Sequence, residues 1–154
     1  MRAIRGRDTG PERAVRSIVH GLGFRFRLHR RDLPGTPDLV LPRHRTVILV
    51  HGCFWHAHRC RAGRSEPRSN AAFWRQKRAA NRARDARVRA ALRRRGWTVI
   101  EVWECQLREP EAVARRIRTI LAGSRRLTGR SDGSGSASRL PAAANAARRS
   151  SGSR

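Results

Sequence analysis

Apolar residues recur along the first 122 positions with two different periods, and the switches between them mark out the elements. Thr9-Gly10-Pro11-Glu12 has the form of a capping box with proline in the first turn. Val15, Ile18, Val19 and Leu22 follow at helical spacing, and Gly21 and Gly23 mark the stop. Phe24, Phe26 and Leu28 then alternate with Arg25, Arg27 and His29, the pattern of a half-buried strand. Leu33-Pro34-Gly35-Thr36-Pro37 reads as a turn, and Asp38-Leu39-Val40-Leu41 as a short strand closed by Pro42. Residues 46–50 form a continuous apolar run, the signature of a buried central strand. A Cys/His-rich loop spans residues 51–62. Residues 71–95 predict a long arginine-rich helix, capped near Ser69 or Asn70 and stopped at Gly96, with a thin apolar stripe of Phe73, Trp74, Val88 and Leu92. Residues 97–103 predict another strand, and a last helix from near Pro110 buries Val113, Ile117, Ile120 and Leu121. The order α-β-β-β-α-β-α predicts one α/β domain, a mixed sheet flanked by helices. Its core is small for its length, so a metal staple would matter to stability.

From Gly123 to Arg154 the pattern disappears. This segment is Gly, Ser, Ala and Arg with almost no apolar residue, and predicts a disordered basic tail. Its seven arginines and one aspartate leave +19 of the chain's +25 on residues 1–122, so the basic character belongs to the folded part. A field this positive attracts polyanions, and nucleic acid is favoured over membrane because no basic amphipathic anchor accompanies it. Only Lys77 among the 36 basic residues is a lysine, a bias that genome composition can produce, so it says little about contacts. No apolar run approaches the roughly 20 residues of a membrane span, and Met1 to Arg5 lacks the apolar core of a signal peptide. Three cysteines cannot all pair within the chain, which points to a reducing compartment where thiols more often bind metal.

The densest chemistry lies in His51-Gly-Cys53-Phe-Trp-His56-Ala-His58-Arg-Cys60. Cys53, His58 and Cys60 are spaced to wrap one tetrahedral ion, with Cys105, just after the last strand, as fourth ligand. Thiolate and imidazole donors favour zinc, and four protein ligands leave no open position, so this site would be structural. The competing reading is two unrelated buried cysteines beside surface histidines. Zinc would leave His51 and His56 free. Asp38 opens the strand that pairs plausibly with residues 46–50, and would meet His51 at one edge if the strands are antiparallel. A carboxylate suits magnesium, and an imidazole can move a proton near neutral pH. Asp85 is a solitary acid on the arginine-rich helix: either an ion pair on the helix face or the partner that orients a histidine. Glu12 is explained by capping, with a second acidic role near the metal as the alternative.

These residues carry a resemblance. MRAIRGRDTGPE, LPGTPDLVL, VILVHGCFWHAHRC, FWRQKRAANRARD and GWTVIEVWECQLR are similar to segments of the very-short-patch (VSR) mismatch repair endonucleases, in order from residue 1 to about residue 121. The resemblance implies a restriction-endonuclease-like mixed β-sheet flanked by α-helices, with a structural zinc site. It implies catalytic roles for Asp38, His51, His56, Asp85 and Glu12, and zinc ligation by Cys53, His58, Cys60 and Cys105. Magnesium would be held by Asp38 and the backbone carbonyl of Val50. Phe54, Trp55 and Trp74 would wedge into the base stack at a mismatch; stacking on bases supports that role, and plugging the core beneath the loop is the equal alternative on spacing alone.

The function so implied is a magnesium-dependent endonuclease that nicks double-stranded DNA 5′ to the thymine of a T:G mismatch, the product of 5-methylcytosine deamination. The implied setting is a monomer in the cytoplasm, nucleoid-associated through DNA, with other mismatch-repair proteins as partners and no membrane. Family members carry an arm ahead of the segment matching Met1 to Thr9, so either the true start lies upstream or DNA opening is weakened. Two alternatives stand: a restriction or defence-type nuclease of the same site without mismatch preference, and a non-catalytic zinc-containing DNA-binding module.

Overall fold

The computed structural model describes residues 8–67 and 69–128. The elements run α1 (Gly10–Gly21), β1 (Arg27–Leu28), β2 (Leu39–Leu41), β3 (Thr46–His51), α2 (Arg61–Arg64), α3 (Ala71–Arg94), β4 (Thr98–Trp103) and α4 (Pro110–Thr128). The four strands form one sheet in the order β1-β2-β3-β4. β1/β2 and β2/β3 pair antiparallel, and β3/β4 pair parallel. The expected mixed α/β order is therefore present, and β3 is central.

Strand alternation divides the core in two. Leu39, Leu41, Ile48, Ile100 and Val102 face α1 and α4, packing on Val15, Val19, Val113, Ile117 and Leu121. Val40, Val47 and Val99 face α3, where Leu92 and Val88 cover them. The α3 side of the sheet is thus the side on which residues 49, 51, 101 and 103 also fall. α1 begins as anticipated: the Thr9 hydroxyl accepts the Glu12 N–H at 3.4 Å, and Gly23, at φ +81°, lets the chain reverse out of the helix.

Several boundaries differ from the sequence pattern. The strand expected over residues 24–28 shrinks to Arg27–Leu28, because β2 offers only three residues to pair with. Phe24 and Phe26 still pack on the core, but Leu28, on the edge strand, is 41% exposed. Phe73 is also exposed rather than part of the buried stripe, since the first turns of α3 project past the apolar cover of the sheet. Asn70 precedes α3 without a side-chain capping bond. α4 does not stop at Gly123. The buried series Ile117, Leu121, Ser124 continues its stripe, the Ser124 hydroxyl bonds the Ile120 carbonyl at 3.0 Å, and one glycine costs a helix only about 1 kcal/mol. The tail expected from residue 123 therefore begins no earlier than residue 129, and residues 129–154 lie outside the described residues. Among the described residues no helix is long and apolar enough to cross a membrane.

Two turns bring loops against α3. Pro34 and Gly35 form the centre of a turn closed by the Thr36 N–H on the Leu33 carbonyl at 3.1 Å, with Gly35 at φ +72°. A Cβ on Gly35 would come within 2.5 Å of the Val88 side chain, so only glycine lets the segment leading to Asp38 lie this close to α3. Gly63 in α2 meets the His58 backbone with no room for a side chain.

Burial sets how much truncation costs at Ile100 and at Phe73. Ile100→Ala, between helices and fully buried, should lower unfolding free energy by about 2–5 kcal/mol in urea denaturation. Phe73→Ala should change it by less than about 0.5 kcal/mol.

Candidate active site and metal-ligand cluster

The antiparallel register of β2 on β3 carries Asp38 to the end of β3, where its Oδ2 accepts the Val50 N–H at 2.8 Å. This is the geometry anticipated for neighbouring antiparallel strands. A cavity of about 390 Å³ opens there, and Thr36, Asp38, Val50, His51, His56 and Asp85 are among the residues lining it. Asp38, His51, His56 and Asp85 are thus brought together. Burial raises the Asp38 carboxyl above its ordinary pKa, the Val50 hydrogen bond works against that, and the nearby charge of Glu12 adds to it. Its Oδ1 accepts no hydrogen bond among the described residues.

Alternation sends His51 to the α3 side of the sheet, where it is 6% exposed. Its ring lies 4.6 Å from that of His56, centroid to centroid. His56 Nδ1 is hydrogen-bonded to Asp85 Oδ2, so the acid on α3 orients this imidazole. Burial alone would raise Asp85, but the hydrogen bond and charge of His56 outweigh it, and its pKa is lowered. Among the described residues, His51, His56 and Asp85 also form one of three groups whose donor atoms converge closely enough to hold an ion.

Glu12 is placed differently. It is buried, and its carboxylate takes the Asp8 N–H at 3.0 Å, the Thr9 hydroxyl at 2.9 Å and Arg16 Nη2 at 3.2 Å. It lines a neighbouring cavity with Val50, Trp55 and His56, and reaches Asp38 through charge rather than contact.

A second cluster gathers Cys53, His58, Cys60 and Cys105, whose donor atoms all lie within 4.8 Å of one another. Cys53 Sγ and Cys105 Sγ lie 3.8 and 3.5 Å from His58 Nδ1. The cysteine and histidine chemistry therefore separates cleanly: His51 and His56 take no part in this group. Burial pushes the Cys53 thiol up to about 12, while the His58 hydrogen bond draws Cys60 down to about 6. Without a cation the thiols cannot all ionise together. The loop is further tied to α3, since Asn81 Nδ2 donates to the Trp55 carbonyl at 3.0 Å and buried Arg78 donates to the Ser65 and Gly63 carbonyls.

Phe54, Trp55 and Trp74 cluster beside the cavity, with centroids 5.3–5.6 Å apart. Their edges and tilted faces meet one another, and Lys77 Nζ lies 5.9 Å above Trp55 and 5.7 Å above Trp74. None of the three is fully buried, so they form a partly open aromatic platform rather than a plug.

Sequence pattern alone missed four neighbours. Glu101 Oε1 lies 3.1 Å from His51 Nε2 and 2.6 Å from Arg89 Nη1. Trp103 stacks on His58 at 4.3 Å and tilts against His51 at 4.9 Å. His29 and Arg84 line the same cavity as Asp38. The signal for Glu101 and Trp103 was present in the alternation of β4, which puts both on the face that carries His51.

Comparison with known proteins then supplies the class. The family model described as DNA mismatch endonuclease Vsr matches residues 1–62. The chain is 54% identical over 121 residues to the type II nicking enzyme V.XorIIP of Xanthomonas oryzae pv. oryzae, covering 79% of this chain and 88% of that protein. It is 41% identical over 128 residues to the DNA mismatch endonuclease Vsr of Escherichia coli K12, covering 80% and 81%. It is 37% identical over 121 residues to the type II nicking enzyme V.NmeAIP of Neisseria meningitidis, covering 79% and 86%. An α/β fold with a carboxylate and two imidazoles around one cavity, in this company, is a DNA endonuclease. The chain belongs to the Vsr family.

The contacts of Glu101 with His51 and Arg89 make a pH prediction. The His51 hydrogen bond lowers its carboxyl to about 2, against the effect of burial and with help from Arg89, from an ordinary 4.5. A depressed folded-state pKa contributes stability that is fully present above 4.5 and is lost as pH falls toward 2. Between about pH 5 and about pH 3 the urea midpoint of the wild type should fall more steeply than that of Glu101→Gln.

Proposed function

We propose that this endonuclease nicks duplex DNA 5′ to the thymine of a T:G mismatch, with magnesium at Asp38 and zinc as a structural ion. The observation that carries the reading is the convergence of Asp38, His51 and the Asp85-bound His56 on one cavity, apart from the sulfur cluster.

The donor sets fit the two ions. A tetrahedral zinc with Zn–S of about 2.3 Å and Zn–N of about 2.0–2.1 Å has S···N edges of about 3.6 Å. The two S···N distances of 3.5 and 3.8 Å match that edge. Asp38 Oδ1 and the Val50 carbonyl are hard oxygens at the same strand end, suited to magnesium, and a cation there would offset the burial that raises the Asp38 carboxyl. When bound, that ion supplies neutralisation of the charge that builds on the scissile phosphate. The chain's own residues do the rest. Water attacks phosphorus in line with the bond that breaks. One imidazole takes the water's proton and the other returns a proton to the leaving oxygen, with Asp85 holding His56 in position. Glu12 supports Asp38 through its charge. Arg84 at the rim attracts the phosphate.

Phe54, Trp55 and Trp74 are the mismatch wedge. A poorly stacked T:G pair opens at lower cost than a matched pair, and each base–aromatic contact contributes roughly 1–3 kcal/mol. A second reading rests on the names of two of the relatives described above: type II nicking enzyme rather than mismatch endonuclease. In that reading the same site nicks without mismatch preference.

Nicking of end-labelled T:G, C:G and other mismatched duplexes with Mg²⁺ separates the two. Preference for T:G, and on the order of a thousandfold loss in Asp38→Ala, is the expected result. Equal cutting of T:G and C:G duplexes would leave only the second reading. Replacing Phe54, Trp55 and Trp74 by alanine should lower mismatch preference more than general cutting. Elemental analysis should find one zinc per chain, and its chelation should lower the unfolding midpoint. A metal-free chain of unchanged stability contradicts the structural role.

A further inference from the structure

We propose that Glu101 is a positioning residue of this nuclease site: it holds His51 by Nε2, so that His51 presents Nδ1, and His56 presents Nε2, to the shared cavity.

The parallel register pairs Leu49 with Glu101 and His51 with Trp103. Glu101 and His51 are therefore diagonal neighbours on the α3 face, and the imidazole Nε2 meets Glu101 Oε1 at 3.1 Å. An ionised carboxylate only accepts hydrogen bonds, so Nε2 is the protonated nitrogen of a neutral His51. Nδ1 takes no hydrogen bond among the described residues and is left as the free lone pair. His56 is held the other way round: Asp85 engages its Nδ1, and Nε2 is left. Each imidazole thus has its own carboxylate, one from β4 and one from α3.

Two further contacts hold this pair, one on each member. Arg89, one turn beyond Asp85 on α3, donates to the same Oε1 at 2.6 Å. Trp103 tilts against the His51 ring at 4.9 Å and 39°, which limits how far the ring swings. The Arg89–Glu101 pair alone could be an ordinary tie between helix and sheet. The His51 bond is what gives it a consequence at the cavity, since removing the acceptor frees the ring both to rotate and to change tautomer.

The kinetic part of the test rests on the nuclease reading above, whereas the spectroscopic part does not, so the two can fail separately. Long-range ¹H–¹⁵N spectra of the full chain, with histidine ring nitrogens labelled, would be recorded near pH 8.5, about two units above the ordinary imidazole pKa. The His51 signals are assigned by their loss in His51→Gln. The expected wild-type pattern is Nε2–H with bare Nδ1. Glu101→Gln keeps it through the amide oxygen, and Glu101→Ala gives mixed tautomers. In single-turnover nicking with Mg²⁺, Glu101→Ala should lower the maximal rate about 10–100-fold with DNA affinity changed less than about twofold, and Glu101→Gln should recover most of that rate. A wild-type His51 protonated on Nδ1, or a single unchanged tautomer in a folded Glu101→Ala, overturns the proposal; the wild-type spectrum decides even if that variant does not fold.

Discussion

The pairing of β3 between β2 and β4 is the constraint on which the rest of the molecule depends. Side chains alternate along a strand, so a slip of one residue would turn His51 toward α1 and α4 and bring Val50 to the α3 side. In the register adopted, Ile48, Ile100 and Val102 bury toward α1 and α4. His51, Glu101 and Trp103 take the opposite side, and Asp38 reaches the same strand end from β2. The apolar burial that fixes the register and the polar groups that do the chemistry are consequences of one pairing. Stability and site geometry are therefore coupled through the same six residues of β3.

The second organising feature is the division of the His/Cys loop by donor type. Sulfur and His58 gather in one cluster and His51 and His56 in another, and Trp103 touches both, stacking on His58 and tilting against His51. The two sites are therefore contiguous through Trp103 without sharing a ligand. The carboxylates of this site are Asp38 at the strand end and Asp85 and Glu101 behind the histidines, while Glu104 accepts the Cys53 N–H beside the sulfur cluster. Arginines flank two of these acids, Arg84 beside Asp85 and Arg89 beside Glu101. Asp85 and Glu101 hold pKa values below the ordinary carboxylate range, whereas Asp38 is driven up by burial.

Much of this was legible in the sequence, for reasons that can be named. The continuous apolar run of residues 46–50 located the central strand β3, because burial on both faces leaves a strong pattern, and the alternation of residues 97–103 located β4 at the edge of the sheet beside it. The density of Cys53, His58 and Cys60, with Cys105 after β4, located the sulfur cluster. The resemblance to very-short-patch repair endonucleases is confirmed by relatives covering four-fifths of the chain, and it placed Asp38 with His51 and His56. Less was legible where tertiary packing decides. The strand expected over residues 24–28 shortened because its partner is short. Phe73 looked like core and is exposed. Arg78 looked like one more surface arginine, yet it is buried and fastens the loop to α3. For Glu101 the alternation of β4 gave the face but not the partner, since its role comes from a diagonal contact across two strands fifty residues apart.

The central claim is that the Asp38 carboxylate and the two imidazoles free of sulfur face one cavity that takes the catalytic ion. Paramagnetic broadening by Mn²⁺, titrated into the full chain with labelled histidine rings, tests it most directly. The account predicts that the His51 and His56 ring signals broaden together at low Mn²⁺, that those of His20 and His44 do not, and that Asp38→Asn removes the effect. Broadening that spares both rings, or that persists unchanged in Asp38→Asn, would contradict it.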